Sequence, residues 1–240
     1  MRRAPAALLA IVAPLAIAAG VSIEAFSSMP PGAALPVGWE RVTLPNVAQP
    51  AVALVEDAGI TVLRVKSVNA AGSVAHRLVA DVARTPLLTW RWKVDRVLDK
   101  ADLTRKDGDD YAARVYVSFD APAESLSLAT RARMKIAKLL YGADLPAAAL
   151  CYVWDNIHAP GTTAWNPYSD RVRMIVLRSG GREAGRWMAE SRDVAADYRA
   201  AFGADAQVPP ISGIAASADT DQTGESVTAW FGDFRLEPRR

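Results

Sequence analysis

Between Trp39 and Leu236 apolar and polar residues alternate in short runs. In 61–68, Leu63 and Val65 alternate with Arg64 and Lys66, and in 73–82 Val74, Leu78, Ala80 and Val82 share one face. The run 87–95 sets Leu88, Trp90, Trp92 and Val94 against Thr89, Arg91, Lys93 and Asp95. In 111–119, Ala113, Val115, Val117 and Phe119 lie opposite Arg114, Tyr116 and Ser118. Runs at 150–155, 171–178, 211–217 and 226–236 continue the pattern. Successive side chains of a strand point to opposite faces, so period two predicts half-buried strands, each facing a core on one side.

Two stretches carry a helical period instead. In 127–141, Ala129, Ala132, Ile136, Leu139 and Leu140 recur at three-and-four spacing, and Gly142 follows where a helix would stop. In 191–202, a capping Ser191 and an early Asp193 precede the stripe Val194, Tyr198, Ala201, and Gly203 closes it. Many strands with two helices do not fit βαβ alternation. They predict a mainly β protein, an antiparallel β-sandwich of jelly-roll type with two helical insertions.

The chain opens differently. Arg2 and Arg3 precede an uncharged run from Ala4 to Ile23, rich in Ala, Leu and Ile, and Ala16-Ile17-Ala18 offers a small-x-small cleavage pattern. This is the order of a secretory leader, predicted over 1–20, and it predicts an exported protein, periplasmic or secreted. The alternative is an uncleaved anchor, since about 20 apolar residues can span a bilayer. The Ala-rich composition and Pro14 favour cleavage, after which no membrane span is expected. No cysteine follows the run, so no lipid anchor is expected. Residues 21–38, with Pro30, Pro31, Gly32 and Pro36, read as a linker, and 39–237 as a single sandwich domain.

Losing the leader takes Lys+Arg from 28 to 26 against 26 Asp+Glu, so the remaining domain is near neutral. A nucleic-acid binder needs a basic surplus, and none is expected here. Cys151 is the single cysteine and lies in an apolar run, which predicts a buried, inert thiol. With only His76 and His158, a His-rich zinc site is excluded, and His76 shares an apolar strand face. No G-x-S-x-G, H-E-x-x-H or phosphate loop is present.

Three constellations remain. In Asp219-Thr220-Asp221-Gln222-Thr223-Gly224-Glu225, oxygen-bearing side chains at 219, 221, 223 and 225 resemble the first half of a calcium loop. The plainer alternative is a polar turn whose carboxylates take backbone N–H groups. Asp109 and Asp110, just before the strand that carries Arg114, form either a polar ligand site or an ion-pair network. Arg171 and Arg173 share a face of another strand and are candidates to converge with them. Trp154 and Asp155, with Trp165, Asn166 and Tyr168 beyond, have the composition of a sugar-binding surface, where rings stack on C–H groups and polar side chains bond hydroxyls. The alternative for both tryptophans is core packing.

The runs Gly108-Asp109-Asp110-Tyr111-Ala112-Ala113-Arg114-Val115-Tyr116-Val117 and Tyr152-Val153-Trp154-Asp155 resemble a bacterial exported family catalogued as domain of unknown function 3047. So do Arg192-Asp193-Val194, Asp197-Tyr198-Arg199 with Phe202-Gly203, and Asp219-Thr220-Asp221 with Thr223-Gly224 before Phe231-Gly232-Asp233. The resemblance implies no activity and no catalytic residues. By strand pattern the chain also resembles the galactose-binding-like jelly rolls of carbohydrate-binding modules, an analogy of fold alone. The reading that follows is a non-catalytic binding domain for a glycan or other polar small ligand. Two alternatives stay open: an envelope polysaccharide hydrolase using two of the carboxylates at 109, 110, 155, 219, 221 and 225, and a structural or partner-binding envelope protein using the basic helix at 127–141.

Overall fold

The computed structural model describes residues 22–120 and 147–239. The predicted leader and the predicted helix at 127–141, with its basic face, lie outside the described residues. Thirteen strands are present among the described residues: β1 (Trp39–Thr43), β2 (Ala51–Asp57), β3 (Ile60–Val68), β4 (Gly72–Ala80), β5 (Leu87–Val94), β6 (Tyr111–Phe119), β7 (Ala148–Asp155), β8 (Thr163–Asn166), β9 (Ser169–Ser179), β10 (Met188–Asp193), β11 (Ile211–Asp219), β12 (Ser226–Phe231) and β13 (Arg235–Glu237). One sheet has the order β1-β4-β11-β6-β7-β9-β8; the other runs β10-β5-β12-β3-β2, with β13 also paired to β5. The mainly β, two-sheet sandwich predicted from the alternation is the fold of this protein.

The core forms where the two inner faces meet. Leu88, Trp90, Trp92 and Val94 of β5 point inward as their alternation predicts, and so do Val115, Val117 and Phe119 of β6. Aromatic pairs bridge the layers: Trp90 meets Tyr152 at 5.4 Å between ring centroids, and Trp92 meets Trp154 at 5.8 Å. Full burial of a large apolar side chain contributes about 1.5–3 kcal/mol, so these contacts supply what a disulfide cannot supply in a chain with one cysteine.

Four features depart from the sequence reading. The stretch expected as a linker is docked: Phe26 is fully buried, 4.7 Å from the Trp39 ring and 6.4 Å from that of Phe234. The packed domain therefore starts ahead of Trp39. Second, the sandwich is not wholly antiparallel, because β9 pairs parallel to β7 and antiparallel to β8. The loop after β7 carries the chain past the place that β9 later fills. Third, the oily interior is not single. On the outer face of the larger sheet a second cluster joins Leu103, Tyr111, Cys151, Val153, Met174 and Val176. With apolar clusters on both sides, every residue of β7 is buried, and its sequence does not alternate. Fourth, the second predicted helix begins later: Ser191 belongs to β10, and α1 (Val194–Phe202) is capped by Asp193, which accepts the Ala196 N–H at 2.9 Å.

Cys151 is fully buried, and burial pushes its thiol up to about 12, so it stays protonated and inert. His76 is also buried, packed edge-on against Trp39 at 5.2 Å.

Candidate functional site

A bulge builds the first candidate site. β6 and β11 pair Arg114 with Ser217 and Tyr111 with Asp219, so three steps along β6 match two along β11. The extra residue brings Tyr111 and Arg114 to the same outer face, with the guanidinium 4.8 Å above the Tyr111 ring and 5.6 Å from that of Tyr116. Just before β6, the turn at Lys106–Gly108 delivers Asp109 and Asp110. Asp219, ending β11, forms an ion pair with Arg114, and Asp109 faces the same guanidinium at 3.5 Å. Asn166 of β8 donates to both oxygens of Asp109, at 3.1 and 2.9 Å.

The turn 219–225 is held from several sides. The Thr220 hydroxyl meets the Ser67 hydroxyl at 2.9 Å, and its N–H donates to Ala70 O at 2.9 Å. Gln222 and Thr223 donate their N–H groups to Asp110 Oδ2, at 3.1 and 2.6 Å. Gly224 takes φ 70°, a left-handed conformation that favours glycine, and its N–H donates to Thr220 O. Asp110, Asp219 and Asp221 thereby offer carboxylate oxygens within 4.8 Å of one another, a group that could hold a metal ion. Burial, then the neighbouring Asp110, pushes the Asp221 carboxyl up, only partly opposed by Arg114.

This differs from the ligand set suggested by spacing. Asp219 and Asp221 belong to the group of acids, but Glu225 does not. Glu225 accepts N–H groups from Asp99 and Lys100 at 3.1 and 2.9 Å and pairs with Arg96 at 3.0 Å, stapling the turn to the segment after β5. The third acid, Asp110, comes from a distant stretch of chain.

The sugar-surface residues separate. Trp154 is 1 % exposed and packs in the core with its indole N–H on Gly180 O, so no ligand can stack on it. Asp155 is buried as well: its Oδ1 accepts the N–H groups of Ile157 and His158 at 2.8 and 2.7 Å, shaping the loop. Trp165, in contrast, is 39 % exposed. It pairs with Arg173 across β8 and β9, on the face that carries Ile175 and Leu177 towards the sandwich interior. Arg171 and Arg173 therefore do not converge with Arg114, which lies on the opposite face.

A second candidate site opens at the seam of the two sheets, lined by Arg173, the cross-strand partner of Trp165. A groove of about 380 Å³ is lined by Thr163, Arg173, Glu190, Ser191, Arg192 and Asp197, among others, from β8, β9, β10 and α1. The Arg173 guanidinium lies 4.9 Å over the Trp165 ring and donates to Thr163 Oγ1 at 2.5 Å; Phe202 of α1 backs the ring at 5.5 Å. The volume falls in the range of small-ligand sites, about 300–1,000 Å³. Glu190 was not singled out from the sequence, and Arg192 and Asp197 stood there only within the family-like motifs, not as site candidates.

A two-sheet sandwich with a buried acid–arginine cluster on one face and a polar groove at its seam defines the class. The chain belongs to the family described as protein of unknown function (DUF3047), whose model matches residues 37–235. No curated protein matches the sequence. Among solved structures, the chain is similar to the xyloglucanase domain of NopAA, a type three effector from Sinorhizobium fredii, in complex with cellobiose (7% identity, 89% of this chain and 100% of that chain, TM-score 0.45). It is also similar to endoglucanase cel12A from Rhodothermus marinus (10% identity, 84% and 92%, TM-score 0.41) and to Trichoderma harzianum endoglucanase 3 from family GH12 (6% identity, 86% and 100%, TM-score 0.40). At these identities no residue of theirs is carried over to this chain.

Proposed function

We propose that the protein is an exported, non-catalytic binding domain, periplasmic or secreted, which takes a glycan or similar polar ligand in the seam groove beside Trp165. The observation that carries this is the polar groove between β9, β10 and α1, one of whose lining residues, Arg173, stacks on the partly exposed Trp165 ring. The exposed part of the indole offers apolar surface to sugar C–H groups, and its packing against Arg173 and Phe202 lowers the entropic cost of holding it in place. Thr163 and Ser191 stand within the same groove to meet hydroxyls, while Glu190 and Asp197 are held there by Arg178 and Arg192.

The engagement of the acids supports binding over hydrolysis. Of the six carboxylates considered for catalysis, Asp109, Asp110, Asp155, Asp219 and Glu225 are held by arginine, asparagine or backbone N–H groups. A glycosidase needs two opposed carboxyls about 5–10 Å apart that are free to exchange protons.

A glycan array, followed by titration of any hit with intrinsic tryptophan fluorescence, tests the reading. Trp165→Ala is expected to weaken binding at least about tenfold, the effect of losing one stacking contact, while leaving the fold intact. Blank arrays, or unchanged affinity in Trp165→Ala, would remove the groove as the site.

A further inference from the structure

The acid–arginine cluster leaves specific atoms without partners. Asp110 is fully buried; its Oδ2 accepts two N–H groups, but among the described residues its Oδ1 has no hydrogen-bond partner. Asp219 is 3 % exposed, and while Arg114 takes its Oδ2, its Oδ1 is buried and without a partner as well. Asp221 accepts from the Gln222 side chain at 2.6 Å. Asp109 and Asp219 thus pair with the guanidinium of Arg114, and Asp110 and Asp221 crowd in beside Asp219. Buried carboxylate oxygens without donors are costly, and like charges at this separation repel strongly where water is excluded.

We infer that Asp110, Asp219 and Asp221 hold a hard divalent cation, and that calcium is the ion the site suits. The three offer oxygens within 4.8 Å of one another, which one ion can bridge. A dication placed there would give the two carboxylates with orphaned oxygens a partner and offset the surplus negative charge. The donors are oxygens alone, which selects against soft metals. Magnesium keeps much of its water and demands near-octahedral geometry, whereas calcium sheds water readily and accepts an irregular shell. Two of the three ligands here are almost wholly buried, leaving little space for a retained hydration shell. The site is also prepared in advance. Asp219 and Asp221 flank the anchored Thr220, and Asp110 is tied to the same turn by the N–H groups of Gln222 and Thr223. The inference stands apart from the glycan reading, since the cluster lies on the outer face of the larger sheet and the groove at its seam.

The test is thermal unfolding of the purified chain after EDTA treatment and dialysis, without glycan, against increasing calcium chloride. At calcium a hundredfold above its Kd, Tm is expected to rise by about 5–10 °C for a domain of this size. Asp221→Asn, at the most accessible ligand, should weaken the calcium response at least about tenfold in concentration. Glu225→Gln lowers the calcium-free Tm by loosening the staple but should keep the full calcium increment. No increment in the unaltered chain, the same titration curve in Asp221→Asn, or magnesium matching calcium at equal concentration would overturn the assignment.

Discussion

Two arginine–carboxylate clusters in this molecule are built from the same groups and differ in how completely they close. On one side of the groove, Arg192 forks onto Asp197, Nε to Oδ2 at 3.0 Å and Nη2 to Oδ1 at 2.5 Å, and the Tyr152 hydroxyl donates to the same Oδ2 at 2.7 Å. Asp197 beside it holds Arg192 above the ordinary arginine range, and burial pushes the Tyr152 hydroxyl up. Among the described residues, no polar side-chain atom of that trio is left buried without a partner. Around Arg114, by contrast, Arg114 Nε, the Tyr111 hydroxyl, Asp110 Oδ1 and Asp219 Oδ1 are all orphaned among the described residues. A network that only supports the fold closes on itself, whereas one that stays open retains capacity for something it does not contain.

That contrast can be broken by mutation. The largest effect is expected for Arg114→Ala, which removes the cation paired with Asp109 and Asp219 beside the Asp110–Asp219–Asp221 group. Unfolding free energy in calcium-free urea titrations should fall by about 3–5 kcal/mol, with part of the loss recovered on adding calcium. A loss below about 1 kcal/mol would mean that the cluster is already neutral or hydrated, and the contrast would collapse. Asp197→Ala in the closed cluster removes bonds to a partly exposed arginine and should cost less, about 1.5–3 kcal/mol, with no dependence on calcium.

The smallest effect sharpens the comparison by asking what an isolated orphan does. His76 Nδ1 is buried without a partner, and burial lowers the pKa of the ring, although the Arg77 backbone and the Glu24 charge pull it back. The unfolded chain then binds the proton first, so stability is retained above the unfolded value of 6.5 and lost as pH falls below it. The loss should have a slope of at most about 1.4 kcal/mol per pH unit. Urea midpoints measured between pH 7.5 and 5, for the unaltered chain and for His76→Gln, would check this; an equal slope in both assigns it elsewhere.

The layered fold was legible because alternation is a local property. β5 and β6 announce their inner faces residue by residue, and the structure keeps those faces. β7 was harder, since Ala148–Asp155 is buried on both sides and gives no period. The same limit explains the tryptophans. Trp154 and Trp165 share a polar neighbourhood in the sequence, but only strand register decides that one ring enters the core and the other stays at the groove. For the acids, spacing along one turn suggested Asp219 and Asp221. The third member could not be read that way, because Asp110 arrives through the pairing of β6 with β11 and the bulge that rotates its start. Phe26 was masked by the prolines around it, which signal a linker even where the chain between them docks.

The placement of β9 bears on how the chain matures as it is made. β9 enters the larger sheet between β7 and β8, both of which precede it, so the sheet cannot be completed in the order of synthesis. Once β6 and β7 have paired, the far edge of β7 has to wait until β8 has passed and β9 returns. During that wait the apolar stretch Ala148–Trp154 presents an open row of amides and carbonyls, the kind of template on which nascent chains aggregate. This interval is where holdase chaperones would have the most to protect.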